Sequence, residues 1–222
     1  LLSVWPHTNE VVKCFTPDGN TFATMSTNGV GRVWSAQTGA ALSPLLVHPQ
    51  PVDASVFDRA GQRLFVCTIA DPIGLFLWEV SSGRLVASGS IQRTNFGLGV
   101  TQIRKAVFTP DEQAIVMGSY DGRVLLWEFS QGAPGRTFLS HESLVQDVCF
   151  SPDGRRLATA SSDGTARLVE WPTGRSLSQE PMSHLGEVVS ARFSADGLKL
   201  VTTSFDHTAR VWDGLTGRLL LP

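Results

Sequence analysis

The sequence predicts an all-β chain of four-stranded antiparallel blades of the β-propeller type, on three observations. A short segment recurs five times around an anchoring phenylalanine: Lys13-Cys14-Phe15-Thr16-Pro17-Asp18-Gly19, Phe57-Asp58-Arg59-Ala60-Gly61, Val107-Phe108-Thr109-Pro110-Asp111, Val148-Cys149-Phe150-Ser151-Pro152-Asp153-Gly154 and Phe193-Ser194-Ala195-Asp196-Gly197. The phenylalanines stand 42, 51, 42 and 43 residues apart, and a fixed period of that length marks a repeat array. A second signature follows each: Arg32-Val33-Trp34, Leu77-Trp78, Leu126-Trp127, Arg167-Leu168-Val169 and Arg210-Val211-Trp212. Ahead of it stands a polar turn residue, Asn28, Asp71, Asp121, Asp163 or Asp206, usually followed by Gly or His.

Each element has a local cause. The first strand of a unit is typified by Val145–Phe150 and stops at the Pro-Asp-Gly turn, where Pro presets φ and Gly supplies a positive one. The second and third strands, typified by residues 156–160 and 165–169, flank Asp-Gly, a strong hairpin signal between apolar runs. A Gly-marked turn then leads to a fourth strand, typified by residues 41–47. Four such strands per ~43 residues make one blade. Segments that are mostly apolar, such as residues 198–201, need cover on both faces, so the blades must stack. The repeats fall at residues 1–40, 41–83, 84–135, 136–174 and 175–222. Six segments have fourth-strand character (1–5, 41–47, 84–90, 136–140, 175–183 and 218–221) against five sets of the other three. That surplus, the missing initial Met and the mid-repeat ends predict an excerpt of a longer array.

Composition narrows the function. Charged residues are 17% of the chain, below the usual ~25%, and 42% are hydrophobic, which excludes a disordered chain. With 18 basic and 20 acidic residues, net charge -2 and no basic stripe, nucleic acid is not an expected partner. No apolar run reaches the ~18 to 20 residues of a membrane span. Cys14, Cys67 and Cys149 are odd in number and widely spaced, which reads as reduced core thiols and a cytoplasmic location. Cys14 and Cys149 share one repeat position, which favours packing over reactivity. No HExxH, GxSxG or P-loop pattern is present, and the chain is read as non-enzymatic, with no cofactor.

In these signatures the chain resembles the WD-repeat family. The fifth unit carries the resemblance best, with His184, Phe193-Ser194-Ala195-Asp196-Gly197 and Ser204-Phe205-Asp206-His207-Thr208-Ala209-Arg210-Val211-Trp212-Asp213. The resemblance implies a buried hydrogen-bonded tetrad: His184, Ser204, Asp206 and Trp212, with His141, Ser161 and Asp163 in the fourth unit and His48, Asp71 and Trp78 in the second. A catalytic or metal-binding role for these residues is the alternative; their recurrence at positions the fold requires favours the structural one. Gly99 replaces His in the third unit, Asn28 replaces Asp in the first, and Val169 replaces Trp in the fourth with Trp171 two residues on. Those blades are expected to be less stable. The family more often has about seven blades, so further blades of the same chain are expected. Arg outnumbers Lys 15 to 3, and with the repeat style this resembles a bacterial member.

Partner residues are sought where the repeat imposes nothing. The 51-residue spacing places an insertion near residues 90–98, with Arg93, Asn95 and Phe96. In the family, the residue before the turn Asp faces the same side: Thr27, Tyr120, Ser162 and Phe205. Polar residues flanking the first strand's apolar position (Glu10, Asp53, Arg104, Gln146 and Glu187) complete a rim. Tyr120, Phe205, Arg104, Gln146, Glu187, Arg93 and Phe96 are the candidates for contact with proteins or peptides. The resemblance implies a non-catalytic scaffold; the alternative is the regulatory propeller of a larger bacterial enzyme such as a Ser/Thr protein kinase.

Overall fold

The computed structural model describes residues 10–69, 72–91, 102–131 and 136–221. Over these, five four-stranded antiparallel sheets follow one another, each taking its strands in chain order. The first holds β1 (Glu10–Phe15), β2 (Thr21–Ser26), β3 (Val30–Ser35) and β4 (Leu46–Val47), and the second β5 (Val52–Phe57), β6 (Arg63–Thr68), β7 (Ile73–Glu79) and β8 (Arg84–Ile91). The third holds β9 (Ile103–Phe108), β10 (Ala114–Ser119), β11 (Arg123–Glu128) and β12 (Arg136–Ser140). The fourth is β13 (Val145–Phe150), β14 (Arg156–Ser161), β15 (Thr165–Glu170) and β16 (Met182–Ser183). The fifth is β17 (Val188–Phe193), β18 (Lys199–Ser204), β19 (Ala209–Asp213) and β20 (Leu219–Leu221).

Two fourth strands are shorter than the sequence predicts. Only Leu46 and Val47 pair fully with β3, and Trp34↔Ala41 survives as an isolated bridge. Between them Ser43-Pro44 breaks the ladder, because proline cannot donate; Ser43 Oγ instead accepts Val33 N–H at 3.0 Å and donates to Pro44 O at 2.8 Å. The fourth sheet repeats the pattern with Pro181 ahead of β16 and the bridge Val169↔Ser176.

The chain divides into two compact units, Leu1–Arg93 with Glu128–Pro134, and Thr94–Trp127 with Gly135–Pro222. In each unit the core lies between successive sheets. In the first, Ala23, Met25 and Val33 pack with Val52, Leu64 and Val66. In the second, Val116, Val124 and Leu126 meet Val145, Val148 and Leu157, while Ala158, Ala160 and Leu168 meet Val188, Ala191 and Trp212. Arg156 fastens the last junction. Its guanidinium donates to Gly197 O at 2.8 Å and Gly214 O at 2.6 Å, pairs with Asp153 at 2.8 Å, and lies 5.5 Å over the Phe193 ring. Asp147, almost fully buried, accepts from Ala191 N, Ser190 Oγ and Arg192 across the same junction.

Every first strand is bulged near its start, at Val12/Cys14, Val52/Ala54, Ile103/Lys105, Val145/Asp147 and Val188/Ser190. A bulge leaves one residue unpaired and re-aims it, and in three sheets that residue is a polar rim candidate: Asp53, Arg104 and Gln146. The turn between second and third strands takes left-handed backbone in the first, third, fourth and fifth sheets. Gly122 takes φ 85° there, where a Cβ would come within 2.5 Å of His141 O. In the fifth sheet His207 holds that position at φ 67°.

Candidate functional site

In the fifth sheet a relay of hydrogen bonds crosses the blade. Trp212 Nε1–H donates to Thr202 Oγ1 at 2.8 Å, the Thr202 hydroxyl donates to His184 Nε2 at 2.7 Å, and His184 Nδ1–H donates to Asp206 at 3.2 Å. A carboxylate only accepts, which assigns the proton to Nδ1 and leaves Nε2 as acceptor. Burial pushes the His184 pKa below its ordinary value against the pull of Asp206, which favours the neutral ring. The Thr208 hydroxyl, with further help from Leu185 N–H and Thr208 N–H, holds the Asp206 carboxyl far below the carboxylate range.

The other sheets vary this relay. In the fourth, Thr159 donates to His141 Nε2 at 2.8 Å and His141 Nδ1–H to Asp163 at 2.9 Å; Val169 occupies the tryptophan place, and Trp171 packs on Phe138 and Phe150 instead. In the second, Val66 stands where Thr202 does, and Trp78 Nε1–H donates directly to His48 Nε2 at 3.0 Å while His48 Nδ1–H reaches Gly29 O at 2.9 Å. In the first, Trp34 Nε1–H donates to Thr24 at 2.9 Å. In the third, Met117 fills the threonine place and Asp121 bonds Ser119 and Arg123.

Ser204 and Ser161, expected in the relay, are not the linking hydroxyls. Ser204 Oγ accepts Asp206 N–H at 3.1 Å; Ser161 Oγ accepts Asp163 N–H at 3.1 Å and donates to Ser143 O at 3.0 Å. Both serve the turn beside them, and the link passes to the threonine two residues earlier on the same strand face. The missed signal was the recurrence of Thr24, Thr159 and Thr202 at one strand position. The relay's His and Asp bonds are all internal, an arrangement suited to holding a blade together. Among the described residues no group of three His, Cys, Asp or Glu is placed to hold a metal. Burial pushes the thiols up, Cys14 to about 11 and Cys67 and Cys149 to about 12, which favours the thiol over the nucleophilic thiolate.

The rim candidates of the second unit form one connected line. Arg104 Nε–H donates to Gln146 Oε1 at 3.4 Å, and Gln146 Nε2 donates to Ser162 Oγ at 2.9 Å and to Glu187 Oε2 at 3.5 Å. Ser162 Oγ donates to the same Glu187 oxygen at 2.7 Å. Residues 41 and 42 apart in sequence are thus joined across three sheets. Tyr120, Ser162 and Phe205 occupy one repeat position, each anchored by its backbone N–H at 2.9 Å to Gln102 O, Leu144 O and Glu187 O respectively. Phe205 is 63% exposed, Tyr120 45%, and Leu185, which the sequence reading did not single out, 94%. Leu185 N–H bonds Asp206, so Leu185 and Phe205 flank one carboxylate. Asp71, Arg93 and Phe96, together with His7, Asn95 and Gly99, lie outside the described residues.

Repeated four-stranded sheets, with a Trp–Thr–His–Asp relay in the best of them, define a WD-repeat β-propeller protein. A family model described as WD domain, G-beta repeat matches residues 93–128, 132–170 and 176–213, and the chain belongs to that family. It is 35% identical over 111 residues to a guanine nucleotide-binding protein subunit beta of Oryza sativa subsp. japonica, covering 47% of this chain and 28% of that protein. It is 26% identical over 181 residues to the SIR4-interacting protein SIF2 of Saccharomyces cerevisiae, covering 78% of this chain and 33% of that protein. The chain therefore spans about three-tenths of the length of these relatives. The crystal structure of the computationally designed Ika8 protein shares the fold, with a TM-score of 0.74 and 22% identity over 96% of this chain and 62% of that one.

Proposed function

We propose that this chain is a non-catalytic platform for protein partners, and that Arg104, Gln146, Glu187, Tyr120 and Phe205 contact them. The observation that carries the reading is the connected polar line from Arg104 to Glu187, lying beside exposed Phe205 and Leu185. Exposed aromatics next to fixed polar groups are common anchors of interfaces. The relay residues His184, Asp206, Trp212, His141, Asp163, His48 and Trp78 have a structural role in this reading, with no cofactor. The unpaired thiols favour a reducing, cytoplasmic setting, and no helix among the described residues is long and apolar enough to cross a membrane. The five repeats are read as part of a longer array in the same chain, since the relatives extend well beyond the matched portion. The regulatory propeller of a bacterial kinase remains the second reading. It rests on the Arg excess and repeat style, whereas the relatives above come from a plant and a yeast.

The test is photo-crosslinking from Tyr120 and Phe205, each replaced by a benzophenone amino acid, against the same replacement at exposed Leu42. Partners captured at the first two positions and lost on Arg104→Ala or Glu187→Ala support the platform. Equal capture at Leu42 refutes this face. An upstream catalytic domain in the flanking coding sequence would favour the second reading.

A further inference from the structure

We infer that the rim of sheets three to five binds an extended protein segment presenting an acidic, then a basic, then a bulky apolar side chain at alternate positions. This rests on the platform reading and names its partner's chemistry. Side chains on one face of an extended segment repeat every ~7 Å, a spacing suited to a line in which a single amide side chain, Gln146, separates Arg104 from Glu187.

Charge order along the line sets the order in the partner. Arg104 is exposed, and its terminal amino groups make no hydrogen bond or ion pair among the described residues; only Nε is engaged, by Gln146. Its free fork suits a carboxylate. Glu187, also exposed, uses Oε2 for Ser162 and Gln146, and Oε1 has no partner among the described residues. Glu142 stands exposed on the same side, its N–H bonded to Asp163 as Leu185 N–H is to Asp206. The carboxylate of Asp206 is already saturated by Thr208, Leu185 and His184, so Glu187 is the acceptor offered to an incoming cation. Beyond it, Leu185 and Phe205 supply an apolar end.

An independent observation marks the same end. The turn glycines Gly29, Gly122 and Gly164 have φ of 82°, 85° and 82°. The fifth sheet places His207 there instead, at φ 67°, exposed and two residues from Phe205. Backbone strain of this kind collects at binding surfaces. Folding does not call for it, since Gly serves the equivalent turns of the first, third and fourth sheets.

The experiment pans a phage-displayed library of random dodecapeptides on the full chain and measures the enriched peptides by fluorescence anisotropy. Peptides of the order acidic-x-basic-x-apolar are expected, with Glu187→Arg and Phe205→Ala each weakening binding at least about tenfold. A peptide whose basic residue is changed to Glu should recover affinity for Glu187→Arg. Arg104→Glu should lose affinity that is regained when the acidic residue becomes Lys. All three positions are exposed, and unchanged thermal unfolding of the variants verifies that binding alone is altered. Enriched peptides of another order that still depend on Glu187 and Phe205 overturn the inference while the platform reading stands; binding indifferent to Glu187→Arg and Phe205→Ala overturns the inference together with the contact residues proposed for the platform. No enrichment of any peptide overturns the inference, and crosslinking from Tyr120 and Phe205 then decides the platform reading.

Discussion

Replacing Thr202 by Val removes one hydroxyl and leaves the shape nearly unchanged. That hydroxyl accepts from Trp212 Nε1–H and donates to His184 Nε2, and the residue is fully buried. Each buried polar group left without a partner costs about 1–3 kcal/mol. Two are orphaned here, and they are complementary, so they could recover part of the loss by bonding each other as Trp78 and His48 do. The geometry resists this. The His48 and Trp78 ring centroids are 5.4 Å apart, whereas those of His184 and Trp212 are 6.4 Å apart, and a packed core does not close such a gap freely. The expected loss is about 2–4 kcal/mol, or roughly 4–16 °C in Tm for a chain of this size. Thr159→Val, which orphans only His141 Nε2, should cost about 1–3 kcal/mol. Thermal and urea unfolding of the two variants side by side provide the assay. A loss below about 0.5 kcal/mol for Thr202→Val, or a larger loss for Thr159→Val, would refute the relay as an energetic unit.

Three further outcomes are expected. Arg156→Ala strips donors from the buried carbonyls of Gly197 and Gly214 and should destabilise by about 3–5 kcal/mol; Arg156→Lys should restore less than half, because an ammonium lacks the fork, and equal urea midpoints for Lys and wild type would refute this. His207→Gly relieves left-handed strain of about 1–2 kcal/mol against an unfolded-state entropy loss of about 0.5–1 kcal/mol, so a Tm that falls would refute that balance. Stability should decline in acid in two stages. Burial depresses the folded pKa of His48, His141 and His184 below the ordinary 6.5, so the unfolded chain takes up protons first and stability erodes as pH falls below 6.5. Asp163 and Asp206 are held below the ordinary 3.8, the hydroxyls of Thr165 and Thr208 helping to outweigh burial, and their contribution, present above 3.8, is lost as pH falls beneath it. A urea midpoint unchanged between pH ~7 and ~4 would contradict the histidine stage.

The polar line on the rim shows how a repeat fold builds a site. A bulge is required of every first strand, and in sheets three and four the bulged residues are Arg104 and Gln146. The fifth sheet bulges at Val189 and takes its polar group from Glu187, just outside the strand. The repeated backbone therefore delivers side chains to one place, and local sequence decides their chemistry.

Five units, the strand order within each and the location of the turns were all legible in the sequence. The repeat positions of His184 and Asp206, and of His141 and Asp163, were legible too, while their joining in one hydrogen-bonded relay was implied only by the resemblance to the WD-repeat family. These are periodic or local features: a hairpin is dictated by its turn residues, and a repeat fixes equivalent positions by count. The choice between Ser204 and Thr202 was not legible. The two residues are two apart on one strand and share a face, so alternation cannot separate them; only depth does, and the turn backbone claims the shallower one. The short β4 and β16 depended on where proline interrupts a ladder. The line from Arg104 through Gln146 to Glu187 joins residues more than forty positions apart, and its existence depends on how three sheets stack. Sequence determined the repeating unit because its causes are local, and tertiary structure decided which side chains of different units meet.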